Sequence, residues 1–249
     1  MESGQFYMTL PSNSSMTYFP DNTLAEYKVK LPNHVELPGK WEVGLASITF
    51  PHTWHNIRED DRRFYYDNGD DTFNVILLPT GYYSSISEVV DTMNEVMTKE
   101  GVRGISFQLD SRSQKVTIVL TTKKRLGFES FLGVLLGFGG GVTLTKTTTA
   151  SHVSDINATL HSLYIYLNIV GSQIVGDVFA PLLRIVPTKG KNGDIITIQY
   201  DTPQYLPVTT KDFEILEVLL ADETGKKIPF ERGTVVLTLH FKLRRPSYF

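Results

Sequence analysis

Cysteine is absent from this chain of 249 residues. Disulfide bonds and thiolate zinc sites are therefore excluded, and there is no thiol nucleophile. An oxidising, secreted setting gains no support from the composition. Residues Met1 to Gln5 also lack the basic and apolar regions of a signal peptide, as well as the Met-Gly start of a myristoylation signal. We therefore expect synthesis in a reducing compartment.

Long apolar runs are also missing. The longest candidate, Phe131 to Phe138, is far shorter than the roughly 20 residues that span a bilayer, so we expect a soluble chain without a membrane span. The net charge is −3, with 20% charged and 41% hydrophobic residues, which are ordinary values for a globular protein. This near-neutral balance argues against bulk coating of nucleic acid, although local basic patches remain open.

Short alternating runs of apolar and polar residues dominate the sequence. The clearest run is Val235 to Leu243, in which every second residue is apolar. About nine such runs, separated by proline and glycine, predict β-strands of the kind found in sandwiches and jelly rolls. No fixed period recurs, which argues against a propeller or a solenoid.

One segment departs from this pattern. Apolar residues between Ile86 and Met97 recur at helical spacing, Ser85 and Glu88 predict a capping box, and Gly101 is placed to end the helix. Two strands and a short helix follow. We predict that residues 79–138 form a small α+β insertion of the order α-β-β-α. Residues 1–78 and 155–249 would form the β-sandwich, and residues 139–154 a flexible loop rich in glycine and threonine.

Two segments of the sequence resemble ligand-binding loops. The glycines from Gly137 to Gly141 suggest a phosphate loop, but Val142-Thr143 follows where the motif requires lysine and a hydroxyl residue, which favours a flexible loop. The acidic run from Asp67 to Asp71 suggests calcium, but its spacing does not match that of a calcium loop. With apolar runs on both sides, it predicts a β-hairpin around Asn68-Gly69.

Enzymatic and metal chemistry find little support. His52 and His55 are three residues apart and would seed a metal site on a helix, but Pro51 and the neighbouring aromatics favour a loop at a strand end. No nucleophile-elbow motif is present, whereas a Ser-His-Asp triad assembled in space stays open. We predict no enzyme, no cofactor and no bound metal; a hydrolase on a β scaffold is the weakest alternative.

Three stretches carry a family resemblance when they are taken in order. The first is Phe6 to Ser15, continuing through Tyr18 to Thr23 and Trp41 to Leu45. The second is Leu163 to Tyr166 with Val175 to Asp177 and Pro181 to Val186. The third is Gln204 to Val208, then Phe213, Asp222 to Gly225, Ile228 to Phe230, and Gly233 to Phe241. In this order they resemble the minor capsid (penton) proteins of Polinton/Maverick elements and the related adintoviruses.

The resemblance implies a single jelly-roll β-sandwich that forms homopentamers at icosahedral fivefold vertices. Its implied partner is the double-jelly-roll major capsid protein, for which this chain is too short. It also implies a structural protein of the virion, made in the host cytoplasm or nucleus. The rival hypothesis is a β-sandwich module that binds a carbohydrate or a receptor.

Candidate contact residues lie in loops and in the C-terminal tail. Tyr18, Phe19 and Trp54 are interface anchors in one reading, and in the other they fill the ends of the core. Arg244 and Arg245 belong to a basic tail that is either a frayed end or a peptide contacting neighbouring subunits or packaged DNA. Four long loops are expected to cover sheet edges: Pro11 to Thr23, Pro51 to Arg63, Gly139 to Thr159, and Pro187 to Gly193.

Overall fold

The structure, a computed structural model, describes residues 4–121, 123–158 and 160–244. Its strands and helices follow in chain order: β1 (Gln5–Pro11), β2 (Glu26–Glu36), β3 (Trp41–Pro51), β4 (Arg63–Asp67), β5 (Phe73–Leu77), α1 (Ile86–Lys99), β6 (Ile105–Asp110), β7 (Lys115–Leu120), β8 (Arg125–Phe128), α2 (Ser130–Leu135), β9 (Thr143–Leu144), β10 (Thr148–Thr149), β11 (Ser162–Leu167), β12 (Gln173–Val175), β13 (Val178–Ala180), β14 (Leu182–Pro187), β15 (Ile195–Gln199), β16 (Leu206–Pro207), β17 (Asp212–Ala221) and β18 (Val236–Leu243). The chain divides into two compact units, residues 1–54 with 162–249 and residues 55–161.

The first unit is a jelly roll. Its two main sheets have the strand orders β1-β18-β3-β15 and β14-β11-β17-β2, and all pairs are antiparallel. These eight strands follow the order of two interlocked Greek keys, which defines a jelly roll. The predicted mainly β, single jelly-roll fold is thus confirmed, and an α+β segment interrupts it between β3 and β11.

Alternation explains how the two sheets pack. The inward residues of β18, including Leu237, Leu239 and Phe241, are fully buried. Phe241 stacks on Phe213 of β17 with ring centroids 6.3 Å apart, so side chains of the two sheets meet in one core. At one lateral side the Tyr27 hydroxyl donates to the Leu10 carbonyl at 3.1 Å and joins β2 to β1. Burial of this phenol raises its pKa.

The second unit contains two small sheets and a helix. The sheets have the orders β5-β4-β8-β9 and β10-β7-β6. Helix α1 begins where the sequence predicts, since the Ser85 hydroxyl accepts from the Glu88 N–H at 3.2 Å. The second hydrogen bond of the capping box differs from the standard one, because the Glu88 carboxylate accepts from the N–H of Ser84 and not from that of Ser85. Five apolar residues of the predicted face are buried: Ile86, Val89, Val90, Met93 and Met97.

The boundaries of this unit differ from those expected for the insertion. Strands β4 and β5, expected in the sandwich, belong to the second unit, where β4 pairs with both β5 and β8. Residues 139–154, expected as a flexible loop, contain β9 and β10. Strand β9 pairs with β8, and strand β10 pairs with β7. Both differences arise from pairings between strands distant in sequence, which local alternation does not encode.

The acidic run forms a hairpin turn, as the sequence predicts. Strands β4 and β5 pair from Arg63↔Leu77 to Asp67↔Phe73, and Gly69 in the turn has φ +98°. The buried Asp67 carboxylate accepts from the Gly69 N–H at 2.7 Å and from Arg125 Nε at 2.7 Å. The Arg125 guanidinium also binds Asp71. The positive charge next to these carboxylates is therefore the guanidinium of Arg125, a side chain of the protein itself.

Candidate interaction surface

The loop between β1 and β2 carries two of the sequence-predicted contact residues. Tyr18 is 62% exposed and Phe19 is half-buried, with their ring centroids 6.5 Å apart. Lys30 of β2 places its Nζ 4.6 Å from the centroid of the Tyr18 ring. Tyr18 is thus exposed on the surface of the jelly roll, and Phe19 lies next to it in a half-buried position.

Hydrogen bonds hold this loop onto β2. The Lys28 N–H donates to the Asn22 side chain at 2.9 Å, and the Asn22 amide donates back to the Lys28 carbonyl at 2.9 Å. The Lys30 N–H donates to the Ser15 hydroxyl at 2.9 Å. Because the loop is fixed on both sides of Tyr18, little conformational entropy remains to be lost if the ring is covered by a partner.

Trp54, the third aromatic candidate, lies in the core. Its side chain is 4% exposed and contacts His52, with ring centroids 4.0 Å apart. Phe50 and Phe230 flank it at 6.5 and 5.8 Å. Such burial fits the second reading of this residue, the filling of a core end, and removes it from the exposed surface.

The basic tail begins at the end of β18. Arg244 is exposed, and its Nε lies 3.7 Å from a carboxylate oxygen of Glu42. Lys242 approaches the same carboxylate at 3.7 Å. Glu42 thus offsets part of the positive charge at the base of the tail. Arg245 lies outside the described residues.

A surface groove at the opposite end of β18 was not foreseen from the sequence. It has a volume of about 510 Å³ and crosses the outer face of β3, β15 and β18. Its apolar walls include Pro51, Val236 and Ile195, and Ile195 is 77% exposed. Arg232 is the cation among its lining residues, and threonine hydroxyls complete the wall. The groove draws on three strands and two loops, so no local motif marks it.

A second feature that the sequence did not predict is the hairpin of β12 and β13. Ile174 and Phe179 are cross-strand partners and are highly exposed. Val175 and Val178 flank a Gly176-Asp177 turn, a pattern that could have indicated a hairpin. The hairpin adds exposed apolar surface at the end of the sandwich where β11 ends.

Near the start of the tail, two tyrosine side chains pack against a histidine. His240 of β18 is buried, stacks on Tyr7 at 4.4 Å between ring centroids, and lies at hydrogen-bonding distance from Tyr205. Burial lowers the pKa of His240, and nearby Lys242 lowers it further. Burial has the opposite effect on the acidic phenol of Tyr205, whose pKa it raises. At neutral pH the imidazole of His240 and the phenol of Tyr205 are therefore uncharged and pack against each other.

Across the residues that the structure describes, no group of three or more His, Asp or Glu side chains is arranged to hold a metal ion. In the same part of the chain, no helix has the length and apolar character needed to cross a bilayer. The glycines after α2 lead into β9, whereas a phosphate loop requires a helix directly after it.

Comparison with known proteins gives a structural likeness. No protein-family model matches the chain, and no curated protein matches its sequence. The fold is similar to the crystal structure of the mavirus penton protein, with a TM-score of 0.54 and 12% sequence identity. The match covers 96% of this chain and 99% of the mavirus chain. At this identity the likeness concerns the fold, and it spans both compact units.

Proposed function

We propose that this chain is a penton protein, the minor capsid protein of a virus or virus-like element of the Polinton/Maverick type. The observation that carries the proposal is the jelly roll interrupted between β3 and β11, matched over nearly its full length by a viral penton protein. The sequence resemblance to Polinton and adintovirus pentons points the same way. The role is structural, and the protein acts through its surfaces.

In this proposal five copies form a ring at each icosahedral vertex, and the double-jelly-roll major capsid protein surrounds the ring. The two sheets supply a rigid wall, while loops at the ends of the sandwich supply contacts. A cyclic ring requires a head-to-tail contact, in which one patch meets a different patch on the next copy. The basic tail containing Arg244 and Arg245 would face a subunit or the packaged DNA.

Mass measurement in solution tests the ring. Native mass spectrometry of the full chain is expected to show five copies at high protein concentration, and negative-stain images are expected to show fivefold rings. Addition of the double-jelly-roll major capsid protein from the same genome should yield a larger assembly. A strict monomer that also fails to join the major capsid protein would overturn the proposal.

A further inference from the structure

The two lateral sides of the jelly roll carry different chemistry. Strand order places β1 and β2 on one side and β15 and β14 on the other. The first side is joined by the bond from Tyr27 to Leu10, and the second by Arg184, whose guanidinium lies 3.6 Å from the Tyr200 ring centroid. A head-to-tail ring brings two such unlike sides together.

The first side presents a fixed, partly apolar loop. This knob loop, residues 12–25, exposes Tyr18 together with Met16, which is 43% exposed. Asp21, also exposed, provides a carboxylate three residues from Tyr18. An ordered aromatic residue beside a charge has the composition typical of an interface anchor.

The groove described above opens towards the second side at the same end of the sandwich. Pro11, where the knob loop begins, is paired with Val236, a wall of the groove. Ile195 of β15 is paired with Pro51, another wall. Among the described residues that line it, Arg232 carries a charge and none has a carboxylate. The knob loop and the groove therefore lie at one level of the molecule, displaced laterally across the sheet.

We propose that the knob loop of one copy docks into the groove of the next copy, which rests on the ring proposed above. Tyr18 and Met16 would pack on Pro51, Ile195 and Val236, while Asp21 would pair with Arg232. A volume of about 510 Å³ lies in the range that accepts ligands larger than one aromatic side chain. In this docking the occupant is a second copy of this chain.

The charge of the groove and the fixed conformation of the knob loop both favour this occupant. Arg232 is exposed and is the cation of an otherwise uncharged groove, so it favours a partner with a carboxylate next to an apolar anchor. The knob loop supplies both on one short segment. Since its ends are fixed by hydrogen bonds, docking needs little reordering.

Single substitutions on either half provide the first test. Tyr18→Ala removes the knob and Ile195→Asp places a charge in the groove; both positions are exposed, so folding should be retained, as circular dichroism would show. Each variant is expected to raise the protein concentration needed for ring formation by at least about tenfold. Unchanged assembly of both variants would overturn the docking.

Mixing the two variants tests the head-to-tail geometry. The Tyr18→Ala copy keeps its groove and the Ile195→Asp copy keeps its knob, so one productive contact remains between them. The mixture is expected to give heterodimers at concentrations where each variant alone is monomeric. A contact of knob on knob or groove on groove would not produce this complementation, and a monomeric mixture counts against the docking.

Charge reversal tests the proposed ion pair. Asp21→Arg and Arg232→Asp should each weaken assembly, and the double variant should recover most of it because the pair is re-formed in the opposite sense. Asp177→Arg, in the exposed turn of the β12–β13 hairpin, makes the same charge change elsewhere and should leave assembly unchanged. Equal effects of Asp21→Arg and Asp177→Arg would contradict the docking.

Wild-type behaviour separates the two proposals. If the wild-type chain forms no ring, the penton proposal fails and the docking falls with it. If the wild type forms rings and the knob and groove variants form them equally well, only the docking fails.

Discussion

The Tyr205 hydroxyl lies 2.7 Å from Nδ1 of His240, and this contact fixes the segment before β16 against the outer face of β18. Nε2 of the same imidazole is buried and has no hydrogen-bond partner among the residues that the structure describes. Lys242 places its Nζ 3.4 Å from the Tyr205 ring centroid. Protonation of the buried His240 imidazole would thus place a second positive charge beside that of Lys242.

Stability is therefore expected to fall under mildly acidic conditions. The pKa of His240 is lowered from 6.5 in the folded chain, so the unfolded chain takes up a proton first. The contribution of His240 is complete above about pH 6.5 and is lost as the pH falls towards the folded pKa. His240→Gln should reduce the difference in free energy of unfolding between pH 7.5 and 5.5, measured by urea denaturation. The matched control His152→Gln, at an exposed position, should leave that difference unchanged; an equal effect of both would refute the assignment.

The hairpin of the second unit gives a different pH dependence. Burial raises the pKa of Asp67, but hydrogen bonds from the Gly69 N–H, Arg125 and Asp70 outweigh it and lower the pKa to about 2. The stabilising contribution is present above about pH 4 and is lost as the pH falls towards 2. Asp67→Asn should lower stability at neutral pH and flatten the acid unfolding profile of the protein. Asp60→Asn, an exposed control, should do neither.

Gly44 is predicted to be intolerant of any side chain. A Cβ there would lie 2.8 Å from the Gln204 carbonyl oxygen and 2.9 Å from Pro203 Cβ, so the crossing segment would have to move. Gly44→Ala should cost about 1–3 kcal/mol in the free energy of unfolding. Gly81→Ala meets nothing within 4 Å and should cost less than about 0.5 kcal/mol. Similar losses at both sites would show that the close approach is unimportant.

Trp54 and Tyr18 should separate stability from assembly. Trp54→Ala removes a buried ring and is expected to cost about 3–5 kcal/mol in the free energy of unfolding. Tyr18→Ala should change that free energy by less than about 1 kcal/mol, because the ring is largely exposed. Thermal denaturation of both variants measures the difference, and a large destabilisation by Tyr18→Ala would place that residue in the core.

Patterns of short range were the most informative part of the sequence. Helix α1 follows from the spacing of its apolar residues and from Ser85, and β18 follows from strict alternation. The hairpin around Gly69 follows because a tight turn between two apolar runs needs a residue that tolerates positive φ. In each case one stretch of chain contains the whole signal.

Features that depend on distant residues were missed. Arg125 belongs to strand β8 and binds Asp67, and no short-range pattern around Arg125 connects it to that carboxylate. The groove at Ile195 and the covering of Gly44 by Gln204 likewise join segments far apart in the chain. Strand pairing across long loops depends on three-dimensional fit, which alternation alone leaves open.

The pairing of β1 with β18 also sets the order in which the chain can fold. Gln5 pairs with Lys242 and Pro11 with Val236, so the first strand has no partner until the last one has left the ribosome. Residues 55–161 are continuous and contain their own core, and we expect them to fold earlier during synthesis. Because contacts of long sequence separation form slowly, sandwich closure should be the late step. Limited proteolysis of stalled nascent chains would show protection of residues 55–161 before that of β1.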